Sequence, residues 1–279
     1  MALTPLAEGF CFGEGPRWFE DLVWFSDMLG EAVHTVTLAG HLSTLALPGH
    51  SPSGLGFCPD GSLLIVSTER RQVLRYDGES VDVYADLSDL VPASLGDMVI
   101  DRGGTAYVGA QARAAGVLVR LDPGDGHAAA ATVVADGLDF PNGMALTPDG
   151  ATLIVAESVG RRLTAFTVAP DRTLCDRRIF ADGLEGPPDG LCLDAAGGVW
   201  TAMTLAHQFQ RIVSVAGAAT ITDRIDIGQR AAIACALGGP QGRTLFLVSA
   251  ADAYPERLRG TALSRIDATT VDVPAAEQP

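Results

Sequence analysis

Along this chain, apolar residues come in short runs separated by polar, glycine-bearing turns. The unit recurs six times: Pro16 to Ser26, Gly56 to Val66, Met98 to Val108, Met144 to Val155, Leu191 to Thr201 and Ala236 to Val248. In each, two apolar runs flank a turn centred on Asp21, Asp60, Gly103, Asp149, Gly197 or Gln241. Asp-Gly and Gly-Gly between apolar runs are strong hairpin signals, so each unit predicts a β-hairpin. A more amphipathic pair follows, as in Val73–Tyr76 with Val81–Tyr84, Leu163–Phe166 with Arg178–Phe180, and Ile212–Val215 with Thr220–Thr222. Four strands per repeat of about 44 residues, six times over, predict an all-β fold: a six-bladed β-propeller with four-stranded blades. Helices are disfavoured, because the apolar runs are too short to make a helical face. No composition break divides the repeats, so residues 1–279 are expected to form a single domain.

Ring closure is also legible. Leu6-Ala7-Glu8-Gly9-Phe10 aligns with Val134–Leu138 and Phe180–Leu184, which end their own units. The last unit stops after Leu263–Asp267 without such a strand. The two termini are therefore expected to share one blade, which removes exposed sheet edges.

Composition narrows the function classes. Hydrophobic residues make up 47% of the chain and charged residues 19%, so a buried core is expected. The formal charge of −15 and the lack of a basic cluster disfavour nucleic acid. No run of ~18 apolar residues is free of Gly, Pro and charge, so no membrane partner is expected. Five cysteines without a CxxC pair indicate free thiols rather than a disulfide framework. With no basic, apolar leader at Met1–Pro5, the expected location is the cytoplasm. No GxSxG element, phosphate loop or GxGxxG after a strand appears, which disfavours serine hydrolases and nucleotide cofactors. The expected partner is a small-molecule substrate, and no feature marks an interface between copies.

The repeat register points to the chemistry. Seven residues before each turn centre, at the start of the inner strand, stand Glu14, Ser53, Gly96, Asn142, Asp189 (with one extra residue) and Ala234. Glu14, Asn142 and Asp189 offer oxygen ligands, each beside glycine: Gly13-Glu14-Gly15, Pro141-Asn142-Gly143 and Pro188-Asp189-Gly190. Pro-Asn-Gly and Pro-Asp-Gly favour turns in any context. Two carboxylates facing one channel are costly unless a cation lies between them. All-oxygen ligation suits one hard divalent ion: Ca²⁺ first, with Mn²⁺, Mg²⁺, Zn²⁺ or Fe²⁺ as alternatives. On the same face, loops between second and third strands carry the candidate substrate contacts Glu69, Arg113, Glu157, His207, Phe209 and Tyr254. His207 is the only histidine expected there; His34, His41, His50 and His127 are expected away from it.

Gly13-Glu14-Gly15-Pro16, Pro141-Asn142-Gly143 with Pro148-Asp149-Gly150, Pro188-Asp189-Gly190, and Gly238-Gly239-Pro240 before Thr244-Leu245-Phe246 resemble the signature of the regucalcin/gluconolactonase family, over essentially the whole chain. The resemblance implies a six-bladed propeller with one catalytic divalent ion held by Glu14, Asn142 and Asp189. It also implies a lactone substrate and Asp189 as the catalytic general base. The third-blade motif departs from the family: Gly96 stands where Asn is usual and Ser94 where Arg is frequent, while Asp97 is retained. Gly96 and Asp97 thus mark the substrate side of the site. Metal-dependent lactone hydrolysis is the expected function. The alternatives are a metal-dependent lyase, isomerase or cyclase, suggested by Gly96, and a non-catalytic metal-binding propeller.

Overall fold

In the computed structural model, which describes residues 3–125, 127–128, 130–215 and 218–277, the chain folds into twenty-four strands and two short 3-10 turns. The first strand, β1 (Thr4–Phe10), precedes the first complete sheet. Blade one is β2 (Gly13–Phe19), β3 (Leu22–Asp27), β4 (Ala32–Val36) and β5 (Leu42–Ala46). Blade two is β6 (Pro52–Phe57), β7 (Leu63–Ser67), β8 (Gln72–Tyr76) and β9 (Val81–Asp86). Blade three is β10 (Leu95–Ile100), β11 (Ala106–Ala110), β12 (Gly116–Asp122) and β13 (Ala130–Leu138). Blade four is β14 (Pro141–Leu146), β15 (Thr152–Glu157), β16 (Arg162–Val168) and β17 (Leu174–Ala181). Blade five is β18 (Pro188–Leu193), β19 (Val199–Met203), β20 (Gln208–Val215) and β21 (Ala218–Asp226). Blade six is β22 (Ala231–Gly238), β23 (Thr244–Ala250) and β24 (Ser264–Thr270), completed by β1.

All ladders within the sheets are antiparallel, and β1 pairs with β24 from Thr4 opposite Ala268 to Phe10 opposite Ser264. The termini therefore share one blade, as the repeat alignment predicts. The fold is the six-bladed β-propeller expected from the turn spacing.

The core lies between blades, because each sheet buries both faces against its neighbours. Leu64, Val66 and Val73 of blade two pack with Met98, Val108 and Val119 of blade three. Ile154 and Leu163 of blade four pack with Leu191, Val199 and Ile212 of blade five. Burying each such side chain contributes roughly 1.5–3 kcal/mol of apolar transfer energy. At the ring centre the inner strands approach almost backbone to backbone. A Cβ on Gly143 would meet Gly190 Cα at 2.7 Å, and one on Gly190 would meet Ala234 Cα at 2.6 Å. Glycine after the register residue is thus required by contact between blades as well as by turn geometry.

Every inner strand carries a register shift near its start, and the shift fixes which residues are equivalent. Pro141 opposes Glu157 and Met144 opposes Val155. In blade six, Ala231 opposes Ala250 and Ala234 opposes Val248. The residue equivalent to Asn142 is therefore Ala232, which corrects the assignment of Ala234. The reason is a longer hairpin: β22 and β23 close only at Gly238 opposite Thr244, so a fixed offset from Gln241 falls two residues late.

At the far end of the channel the C-terminal segment packs on blades five and six, with Ala275 bridging to Asp194, Ala276 N–H donating to Leu193 O, and Ala275 N–H donating to Gly242 O. Beneath it lies a cavity of about 60 Å³, lined by Arg17, Cys192 and Cys235 among others. All five cysteines are free thiols. Among the described residues, no helix is long and apolar enough to cross a membrane.

Candidate functional site

Glu14, Asn142 and Asp189 are each the second residue of their inner strand, in blades one, four and five. All three therefore stand at the same end of the channel, opposite the C-terminal segment. Glu14 is 9% exposed and Asp189 8%. Burial pushes the Glu14 carboxyl well above its usual range; the fields of Asp189 and Asp97 add to this and outweigh the Gly15 N–H and Arg17. Burial likewise pushes Asp189 up to about 7, against a stabilising hydrogen bond from Thr204 and with Asp97 adding to the rise. The two carboxyls are thus held where their charged forms lack compensation.

The hydrogen bonds leave one gap. Asp189 Oδ2 accepts from Thr204 Oγ1 at 3.2 Å, whereas its buried Oδ1 has no partner among the described residues. The orientation of Asn142 follows from its neighbours. Ser158 Oγ donates its only proton to Pro188 O at 2.6 Å, so it accepts from Asn142 Nδ2 at 3.3 Å. The amide oxygen of Asn142 then faces the other way, where Gln111 Nε2 donates to it at 3.1 Å.

Thr204, Ser158 and Gln111 belong to a second ring. Each is the first residue after the second strand of its blade, and each sends its N–H to the carbonyl just before the inner strand: Thr204 to Pro187, Ser158 to Phe140, Gln111 to Ser94. Sequence reasoning missed this ring. The available signal was its fixed place after β11, β15 and β19.

Asp97 follows Gly96, at the position that is glycine in blades one, two, four and five. Asp97 Oδ1 accepts from Met98 N–H and pairs with Arg17 Nη2 at 3.3 Å, while the same guanidinium donates to Met98 O at 2.7 Å. Arg17, reaching from blade one to blade three, was not anticipated. Gly96 is buried and has Gln111 packed against its Cα: a Cβ there would lie 2.6 Å from Gln111 Cδ.

The loop candidates divide. Glu69 and Arg113 are exposed on the site-bearing end, and Tyr254 is 45% exposed with Arg257 stacked 4.3 Å over its ring. His207 is half-buried with a left-handed backbone (φ 57°), and its Nδ1 lies 2.9 Å from Arg230 O. Glu157 and Phe209 are corrections. Glu157 ends β15 with no exposure and accepts from Arg162 at 2.9 and 2.7 Å, Thr164 at 2.5 Å, Arg177 at 3.1 Å and Asp139 N–H at 2.7 Å. Burial alone would raise its pKa, but these donors outweigh it and hold the carboxyl down to about 2. It ties the loop entering β14, as Asp27 at the equivalent position of β3 accepts from Cys11 and Phe12 N–H. Phe209 lies inside β20 and packs, fully buried, with Trp200, Ile225 and Leu247. His50 is a third correction: it sits in the loop leading into β6, on the site-bearing end, with Nδ1 2.9 Å from Ser67 Oγ.

A divalent cation fits this mouth on two counts. The donors are all oxygen, and a buried carboxylate oxygen of Asp189 is orphaned beside a buried Glu14. Among the described residues no group of three His, Cys, Asp or Glu side chains gathers as for a metal, so the third ligand would have to be the Asn142 amide.

The fold is thus a six-bladed β-propeller with two buried carboxyls and an oriented amide at one channel mouth. The chain belongs to the SMP-30/gluconolactonase/LRE-like family, whose sequence model matches residues 12–251. It is 28% identical over 261 residues to the pentonolactonase XacC of Haloferax volcanii, covering 90% of this chain and 86% of that protein. It is 27% identical over 282 residues to a 6-deoxy-6-sulfogluconolactonase of Pseudomonas putida, covering 96% and 94%. Among solved structures, a calcium-binding regucalcin from Agrobacterium tumefaciens shares the fold with a TM-score of 0.80 at 22% identity, covering 99% of this chain and 97% of that one.

Proposed function

We propose that the chain hydrolyses a lactone to its hydroxy acid, with Glu14, Asn142 and Asp189 holding one divalent cation, Ca²⁺ foremost. The buried Oδ1 of Asp189 carries this assignment: it is an acceptor with no hydrogen-bond partner among the described residues. The two relatives named as lactonases support the substrate class.

When bound, a divalent cation supplies Lewis-acid polarisation of an ester carbonyl and acidifies water. Asp189 takes the proton at Oδ2, the oxygen that Thr204 orients, as water adds to the carbonyl carbon, which leaves Oδ1 for the cation. The same proton passes to the ring oxygen as the acyl C–O bond breaks, which gives one carboxylic acid and one hydroxyl. Ser158 and Gln111 keep the Asn142 amide in a single orientation throughout. Glu69, Arg113, His207 and Tyr254 stand on the end from which a small molecule enters; Gly96 and Asp97 line the third-blade side. The family's usual asparagine is missing at Gly96, so sugar lactones rich in hydroxyls lose one polar contact there. Cytoplasmic location belongs to the same proposal and suits five free thiols.

The test is acid release, followed at constant pH, across five- and six-membered lactones after EDTA stripping and reloading with Ca²⁺, Mn²⁺ or Zn²⁺. Acid release restored by an ion supports the proposal. Its absence from every loaded sample across the panel rejects it.

A further inference from the structure

Three of the six inner-strand positions at the channel mouth carry Glu14, Asn142 and Asp189; the third blade offers only Gly96. The second ring sits directly behind these positions. In blades four and five its members serve the inner-strand residue of their own blade: Ser158 accepts from Asn142, and Thr204 donates to Asp189. In blade three the own-blade residue has no side chain to serve. The longer Gln111 lies across the bare Gly96 Cα and reaches the next blade, where it donates to Asn142 Oδ1 at 3.1 Å. The space a side chain at position 96 would fill is taken by the Gln111 amide, so a side chain there has to move that amide aside.

We infer that Gln111 is the third blade's contribution to the site, a positioning residue that replaces an inner-strand side chain and fixes the Asn142 amide oxygen toward the ligand. The inference rests on the assignment of Glu14, Asn142 and Asp189 as the cation-holding set. Gln111 and Ser158 grip opposite ends of one amide. Without Gln111, the oxygen end of Asn142 loses its only hydrogen-bond donor among the described residues, and the amide can rotate about its Ser158 contact. Outer-shell partners of this kind typically change metal affinity or activity by 10–100-fold.

The test compares wild type, Gln111→Ala, Gly96→Asn and the double variant by calorimetric titration with Mn²⁺, kcat and KM for the best lactone, and the unfolding midpoint. Gln111→Ala is expected to weaken Mn²⁺ binding about 10-fold and to lower kcat more than it raises KM. Gly96→Asn alone is expected to lower the unfolding midpoint, because the new side chain must expel Gln111. In the double variant the introduced amide occupies the vacated space, so Mn²⁺ affinity is expected to recover to within about 3-fold of wild type. If the double variant shows the sum of the two single losses, Gln111 is not a replacement and the inference is overturned. If wild type binds Mn²⁺ and opens lactones while Gln111→Ala matches it in both, only the inference falls. If wild type neither binds Mn²⁺ nor opens a lactone, the assignment of the site falls and takes the inference with it.

Discussion

Arg17 of the first blade pairs with Asp97 of the third at 3.3 Å, across the inner strand of the second. The pair is largely buried, with the two side chains 18% and 7% exposed. Arg17 also lines the lower cavity, while the field of Asp97 acts on Glu14 and Asp189. One ion pair therefore links the lower cavity to the acidic mouth.

Arg17→Met leaves Asp97 without its partner and is expected to cost about 3 kcal/mol, as for other broken buried pairs. Removing both charges in Arg17→Met/Asp97→Asn is expected to recover part of that loss. Urea unfolding of the three proteins checks this. An unchanged midpoint in Arg17→Met would show that the pair contributes nothing.

The acidic mouth predicts an unusual pH profile in the cation-free protein. Burial holds Glu14 well above the usual carboxylate range and Asp189 up to about 7. Unfolding returns both to ordinary values near 4. The folded chain then binds more protons than the unfolded chain between these limits, so stability is greatest below about pH 4 for these two groups and falls as pH rises toward 7. The depressed carboxyls Asp60, Asp86 and Glu157, all held down to about 2, act in the opposite sense below this window, while His34 and His50, held down chiefly by burial, oppose the decline within it. A bound divalent cation compensates both site carboxylates and is expected to flatten the decline. Thermal midpoints from pH 5 to 8 in EDTA and in CaCl₂ decide the matter. A midpoint that falls no more steeply with pH in EDTA than in CaCl₂ would contradict the burial of these two charges.

Glu157 separates structure from chemistry. With its donors satisfied and no exposure, Glu157→Gln is expected to cost roughly 2–4 kcal/mol, because Arg162 and Arg177 lose a charged partner. The kcat/KM of the folded fraction is expected to stay at the wild-type value. A selective loss of kcat/KM with unchanged stability would return Glu157 to the list of substrate contacts.

The fold was legible because hairpin turns recur with glycine and aspartate at their tips, and because Leu6–Phe10 repeats the outer strands of other units. The ligand register was legible for the same reason: Glu14 and Asn142 sit seven residues before their turn centres and Asp189 one residue further back. Where the hairpin lengthens between Gly238 and Thr244, the count slips to Ala234 and the ladder restores Ala232. Loop membership misled for Glu157 and Phe209, since strands β15 and β20 run to those residues and turn them inward. His50 was misplaced because the connection between blades returns to the site-bearing end. Arg17 and Gln111 act on other blades, and no local spacing reveals a partner 80 residues away, as for Arg17 and Asp97, or 31 away, as for Gln111 and Asn142.

The central claim is that Glu14, Asn142 and Asp189 hold one divalent cation at the channel mouth. Calorimetric titration of Ca²⁺ into EDTA-stripped wild type and Asp189→Asn tests it most directly. One ion per chain is predicted for wild type, with affinity lowered about 100-fold or more in the variant. A wild type that takes up no Ca²⁺, or a variant that binds it equally well, would contradict the account.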